Sequence, residues 1–122
     1  MTTQQIGHFI GGNPMASRSE RTSEVFNPAT GAVTATVSLA TPSELNAAVA
    51  AAHAAFPAWS QTSPLRRARV MFKFKELLEE HSDQLAALIT AEHGKVFTDA
   101  KGEVTRGIEV VEFACGIPQM MK

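Results

Sequence analysis

Cysteine occurs once in this chain, at Cys115, and that scarcity removes two possibilities at the outset. No intramolecular disulfide can form, and no cysteine set can hold zinc. A lone thiol fits a reducing compartment. Charge is equally sparse: 11 Lys and Arg against 12 Asp and Glu leave a net of −1. No overall field therefore draws nucleic acid. No apolar run approaches the ~18 residues that would span a bilayer, so no membrane role is expected. Met1–Gln5 is polar and forms no leader core, and the sequence reads as cytoplasmic. The histidines at 8, 53, 81 and 93 show no metal-ligand spacing, and no metal site is expected. Nucleotide loops of the GxGxxG and GxxxxGKS/T types are missing, as is any Ser/His/Asp arrangement. By itself the chain lacks the parts of a catalytic centre.

What is present is the composition of a globular chain, 44% hydrophobic and 19% charged. At 122 residues it is expected to form one domain at most. Residues 1–40 read as short antiparallel strands. His8-Phe9-Ile10 is an apolar run stopped by a turn at Gly11-Gly12-Asn13-Pro14. Ala16–Ser23 is polar and reads as an exposed link. Glu24-Val25-Phe26 leads into the turn Asn27-Pro28-Ala29-Thr30-Gly31. Ala32–Leu39 then alternates, with Val33, Ala35, Val37 and Leu39 on one side, the pattern of a half-buried strand.

From Thr41 the period becomes helical, and residues 41–122 read as four helices. Thr41-Pro42-Ser43-Glu44 is a capping box with Pro42 at the first helical position. Leu45, Val49, Ala52 and Phe56 form its stripe, Pro57 is expected to end it, and Trp59 to anchor the loop beyond. Ser63-Pro64 opens a second helix reaching to about His81, with Val70, Met71, Phe74, Leu77 and Leu78 on one face. Ser82 is expected to cap a third helix that Gly94 stops in the C′ role. The fourth runs through Asp99–Pro118, with Thr98 as cap and Gly116 and Pro118 ending it. Its stripe is Val104, Ile108, Val111 and Cys115.

Arg106 lies off that stripe beside Gly107, whose missing side chain leaves space next to the guanidinium. Glycine inside a helix costs roughly 1 kcal/mol against alanine, which suggests close approach by something. A solvated surface arginine is the plainer reading from spacing alone. The cluster Arg66, Arg67, Arg69, Lys73 and Lys75 is followed by Glu76, Glu79 and Glu80 at helical spacing. It reads as an ion-paired, solvated face rather than a phosphate surface. Cys115, on the apolar stripe in the last turn, reads as a buried structural thiol rather than a nucleophile.

The ordered segments FIGGNP, VFNPATG, AAVAAAHAAFPAW, LRRARVMFKFKELLEEH, LAALITAEHGK and DAKGEVTRGIEVVEFACG resemble the N-terminal part of the aldehyde dehydrogenase superfamily. RRARVMFKFKELL and GEVTRGIEVVEFACG are most similar to its acylating methylmalonate-semialdehyde dehydrogenases. The resemblance runs from about His8 to Lys122. It implies an α/β fold in the full-length context. Residues 1–40 would be its N-terminal strand arm and 41–122 the helical N-terminal part of the NAD-binding domain. The implied activity is oxidation of malonate or methylmalonate semialdehyde to acetyl-CoA or propionyl-CoA with loss of CO2, NAD and CoA serving as cosubstrates. The implied partners are the remainder of the dehydrogenase chain, a semialdehyde carboxylate and, at full length, further copies in a homo-oligomer. The resemblance gives residues 1–122 no catalytic residue, and Cys115 does not match the family's catalytic motif. It places Arg106 where an arginine holds the substrate carboxylate, a role suited to a planar guanidinium. Two other readings stand beside it: a stand-alone helical interaction module, and part of a non-acylating aldehyde dehydrogenase.

Overall fold

The computed structural model describes residues 4–121. The first three residues of the polar lead, and Lys122, at which the resemblance ends, lie outside the described residues. The strands come first: β1 (Gln4–Ile6), β2 (His8–Ile10), β3 (Asn13–Met15), β4 (Thr22–Phe26) and β5 (Val33–Ser38). Helices follow: α1 (Pro42–Gln61), α2 (Pro64–Glu80), α3 (Ser82–His93), α4 (Phe97–Cys115) and the one-turn α5 (Ile117–Met120). The chain divides between Ser60 and Gln61 into two compact units, where its length had suggested one domain at most.

In the first unit, β2 and β3 form a hairpin, His8 opposite Met15 and Ile10 opposite Asn13. Gly11 and Gly12 make its two-residue turn at φ of +61° and +82°, values that glycine adopts without steric cost. Asn13 and Pro14, expected in the turn, are instead strand residues. The other sheet has the order β1-β5-β4. β4 pairs with β5 antiparallel, as expected, but β1 joins β5 in parallel. The strand expectation thus holds for two pairings of three. Gln5 Nε2 donates to Ser38 Oγ across that parallel pair at 3.1 Å, and Ala35 and Ser38 are buried on β5. Asn27 Oδ1 accepts from the Ala29 and Thr30 amides, building the expected turn before β5.

α1 opens on the expected capping box but does not stop at Pro57, which lies inside it; Trp59 is helical too. A proline there removes one hydrogen bond, to the carbonyl of His53. Residues 53–57 are all exposed, so water can satisfy that carbonyl and the helix continues to Gln61. α1 has no buried residue.

In the second unit α3 and α2 pack on α4, and α5 packs on α2. Small residues dominate what is fully covered: Ala68 of α2, Ala86 of α3, and Ala100 and Cys115 of α4. No large side chain is fully buried among the described residues. Small residues at these positions let helix backbones approach closely. α2 starts as expected, Ser63 Oγ accepting from the Arg66 amide. Its covered face runs through Arg67, Ala68, Met71, Lys75 and Leu78, while Val70, Phe74 and Leu77 stay exposed. The buried seam follows the alanine rather than the largest side chains.

Two expected caps are displaced. Ser82 is the first helical residue of α3, behind His81, and α4 starts at Phe97 behind Val96; neither start has a side-chain cap. Gly94 does end α3 in the left-handed conformation, φ +83°, its amide donating to the Thr90 carbonyl. Gly116 ends α4, but Pro118 sits in the first turn of α5 instead of stopping the chain.

Candidate functional site

α4 carries the residue on which the sequence reading depends. Val104, Ile108 and Val111 are half-covered and Cys115 is buried, so the expected stripe is the face that α4 turns toward α2 and α3. Arg106 is exposed off that face. Its nearest carboxylate along the helix toward the N-terminus, Glu103, is taken by Lys95. That hydrogen bond is the main reason the Glu103 carboxyl sits below the usual carboxylate range; Arg106 adds the smallest of the favourable influences. No hydrogen bond or ion pair of the Arg106 guanidinium occurs among the described residues, which leaves its five donors for something else. A Cβ at Gly107 would meet nothing within 4 Å. Gly107 stands at the edge of an apolar cleft of about 390 Å³ bounded by Phe74, Leu78, Leu88, Ile89 and Val104.

The frame around α4 is clipped by charge. Lys101 Nζ lies 2.6 Å from Asp83 Oδ1, tying α4 to the first turn of α3, and stands 5.9 Å over the Phe97 ring. Lys75 Nζ pairs with Glu79 at 2.6 Å. That bond, with help from Glu112 of α4, raises the Lys75 pKa. Lys73 pairs with Glu76, so the lysines of α2 form the ion-paired face expected of them. Arg66, Arg67 and Arg69 show no such pair among the described residues.

The most heavily engaged carboxylate is Glu44, at the start of α1. Oε1 accepts from Ser17 Oγ at 2.9 Å and the Arg18 amide at 2.7 Å. Oε2 accepts from the Thr41 amide at 2.7 Å and from Thr41 Oγ at 3.0 Å. The amides of Thr41 and then Arg18 dominate in bringing its pKa down to about 2. A carboxylate with both oxygens so occupied is an anchor rather than a proton carrier. Sequence reading found its capping role and missed Ser17 and Arg18, since nothing in Ala16–Ser23 signals a bond to a residue some 27 positions on. His8 Nε2 lies 3.5 Å from Glu44 Oε2 without a hydrogen bond.

Cys115 is buried, as expected for a structural thiol. No group of three or more His, Cys, Asp or Glu side chains is placed to hold a metal ion among the described residues. No helix among the described residues is long and apolar enough to cross a membrane.

Known proteins resemble this chain over nearly all of it. Malonate-semialdehyde dehydrogenase 3 of Geobacillus kaustophilus is 54% identical over 119 residues, 98% of this chain and 25% of its own. A Sinorhizobium meliloti structure described as a methylmalonate-semialdehyde dehydrogenase complexed with NAD matches with TM-score 0.93 and 50% identity, over 99% of this chain and 25% of that one. An NAD-dependent benzaldehyde dehydrogenase from Corynebacterium glutamicum matches at TM-score 0.86 and 28% identity, over 93% and 25%. The chain thus spans about a quarter of the length of the relatives it matches. Its strands followed by helices are a portion of their α/β fold, and the stand-alone module finds no support in these comparisons. The model of the aldehyde dehydrogenase family matches residues 15–122, and the chain belongs to that family.

Proposed function

We propose that this chain serves in the CoA-acylating, NAD-dependent oxidation of malonate or methylmalonate semialdehyde, with Arg106 as the group that holds the substrate carboxylate. The exposed guanidinium of Arg106, which makes no hydrogen bond or ion pair among the described residues, carries the reading. The 54% identity to a malonate-semialdehyde dehydrogenase supports the substrate class, and the NAD complex of the Sinorhizobium meliloti neighbour supports the cofactor. A guanidinium offers a carboxylate two parallel hydrogen bonds, an arrangement an ammonium cannot reproduce. It would orient the semialdehyde without taking part in bond making.

Residues 1–122 contain no Gly-rich loop leading into a helix, the arrangement that cradles a dinucleotide phosphate. No step through NAD or CoA is therefore assigned to them. The remainder of a dehydrogenase polypeptide would supply those sites together with the nucleophilic cysteine. Further copies in a homo-oligomer and a cytoplasmic setting complete the reading.

The test is Arg106→Leu in this chain joined to the remaining three quarters of such a dehydrogenase. A charge-assisted bidentate contact is worth about 1.5–3 kcal/mol. KM for semialdehyde carboxylates should rise about 10- to 100-fold, with simple aldehydes spared. Equal losses on both substrates would remove the carboxylate role. Residues 1–122 alone should form no NADH.

A further inference from the structure

Lys95 stands where a lysine has little local reason to be. It lies in the turn between α3 and α4, one residue before the Val96 cap, at the helix end where the backbone dipole repels a cation. Its Nζ nevertheless donates to the Glu103 carboxylate, eight residues on. The Lys95 side chain is 20% exposed against 44% for Glu103. A lysine so largely covered has a fixed place from which to hold its partner, unlike the two mobile side chains of a common surface pair.

On α4 the positions three and four residues from Glu103 are Asp99, Ala100, Arg106 and Gly107. Side chains at those spacings are neighbours on a helix, so Arg106 is the cation that Glu103 would meet if Lys95 were absent. The positive charge of Arg106 already acts on the Glu103 carboxyl, as the smallest of the favourable influences. Glu109, the other carboxylate at such a spacing from Arg106, follows the arginine in sequence, and acid after base is the weaker order. A guanidinium paired with Glu103 has donors occupied and is less available to a carboxylate from outside. We propose that Lys95 is a positioning residue that withholds Glu103 from Arg106 and so keeps the guanidinium open to a substrate carboxylate. What Arg106 receives rests on the reading above; the withholding of Glu103 does not.

The test joins this chain to the remaining three quarters of such a dehydrogenase and follows KM and kcat for a semialdehyde carboxylate. Lys95→Met should raise KM about two- to fivefold, the strength of an exposed ion pair, with kcat unchanged. Lys95→Arg should keep the wild-type KM, and Lys95→Met combined with Glu103→Gln should restore it. A purely structural clip behaves otherwise: Glu103→Gln alone raises KM as much as Lys95→Met does, and the double variant does not recover. Either result overturns the assignment, as does an unchanged KM in Lys95→Met where Arg106→Leu raises it. Should the joined variants not fold, or should Arg106→Leu leave KM unchanged and the substrate reading fall, NMR titration of the Glu103 carboxyl in residues 1–122 decides. Arg106→Leu removes a positive neighbour, so it should move that titration to higher pH, and further in the Lys95→Met background than in the wild type. Equal displacements in the two backgrounds overturn the withholding of Glu103.

Discussion

Thr41 and Glu44 cap each other. The Glu44 amide donates to Thr41 Oγ at 3.2 Å while the Thr41 amide donates to Glu44 Oε2 at 2.7 Å. The second oxygen of the same carboxylate holds Ser17 and Arg18, so a local helix start has become a long-range fastening.

That fastening depends on the ionised carboxylate. The folded pKa of Glu44 is about 2 against an ordinary 4.5. Its contribution is therefore fully present above about pH 4.5 and is lost as the pH falls toward 2. Thermal unfolding of the wild type and Glu44→Gln should show a gap in Tm at pH 6 that closes progressively below pH 4.5. A constant gap down to pH 2 would mean that the negative charge is not what holds Ser17 and Arg18.

Gly94 and Gly107 should respond to alanine with opposite signs. At φ +83°, a Cβ at Gly94 is strained by roughly 1–2 kcal/mol, and Gly94→Ala should lower Tm. Gly107 is helical with open space beside it, so Gly107→Ala should stabilise the isolated chain by roughly 0.5–1 kcal/mol through helix propensity. Denaturant midpoints of the two variants test this, and changes of the same sign would refute it.

Ala86 and Ala100 are each 0% exposed, on the packed pair α3 and α4. Ala100→Leu inserts three carbons where there is no room and should cost about 1–3 kcal/mol. Ala87→Leu, on the exposed side of α3, should be close to neutral. Equal tolerance of both would show that α3 and α4 are not held at close range.

Much of this architecture was legible because its signals are local. The capping box at Thr41, the Ser63-Pro64 start, the Gly94 stop and the hairpin glycines each act within four residues. The stripe of α4 was legible because Val104, Ile108, Val111 and Cys115 all point one way. The misses were non-local or were overridden. Gln4–Ile6 shows no alternation and becomes a strand only because β5 offers it an edge. Ser82 and Thr98 resemble caps, yet only His81 separates the end of α2 from the start of α3, and α4 starts at Phe97 with no side-chain cap. Pro57 fails as a stop because the bond it removes is replaceable by water. The exposed position of Arg106 was legible from its place off the stripe; the capture of Glu103 by Lys95 across the turn before α4 was not.

The two oxygens of Glu44 also set a rhythm for the backbone. The amides of Arg18 and Thr41, far apart in sequence, both end on that one side chain. A single rotation of it frees both, so their hydrogens should exchange with deuterium together, as one opening event. The link Ala16–Ser23 and the start of α1 then breathe as one body, timed by a side chain that belongs to neither amide.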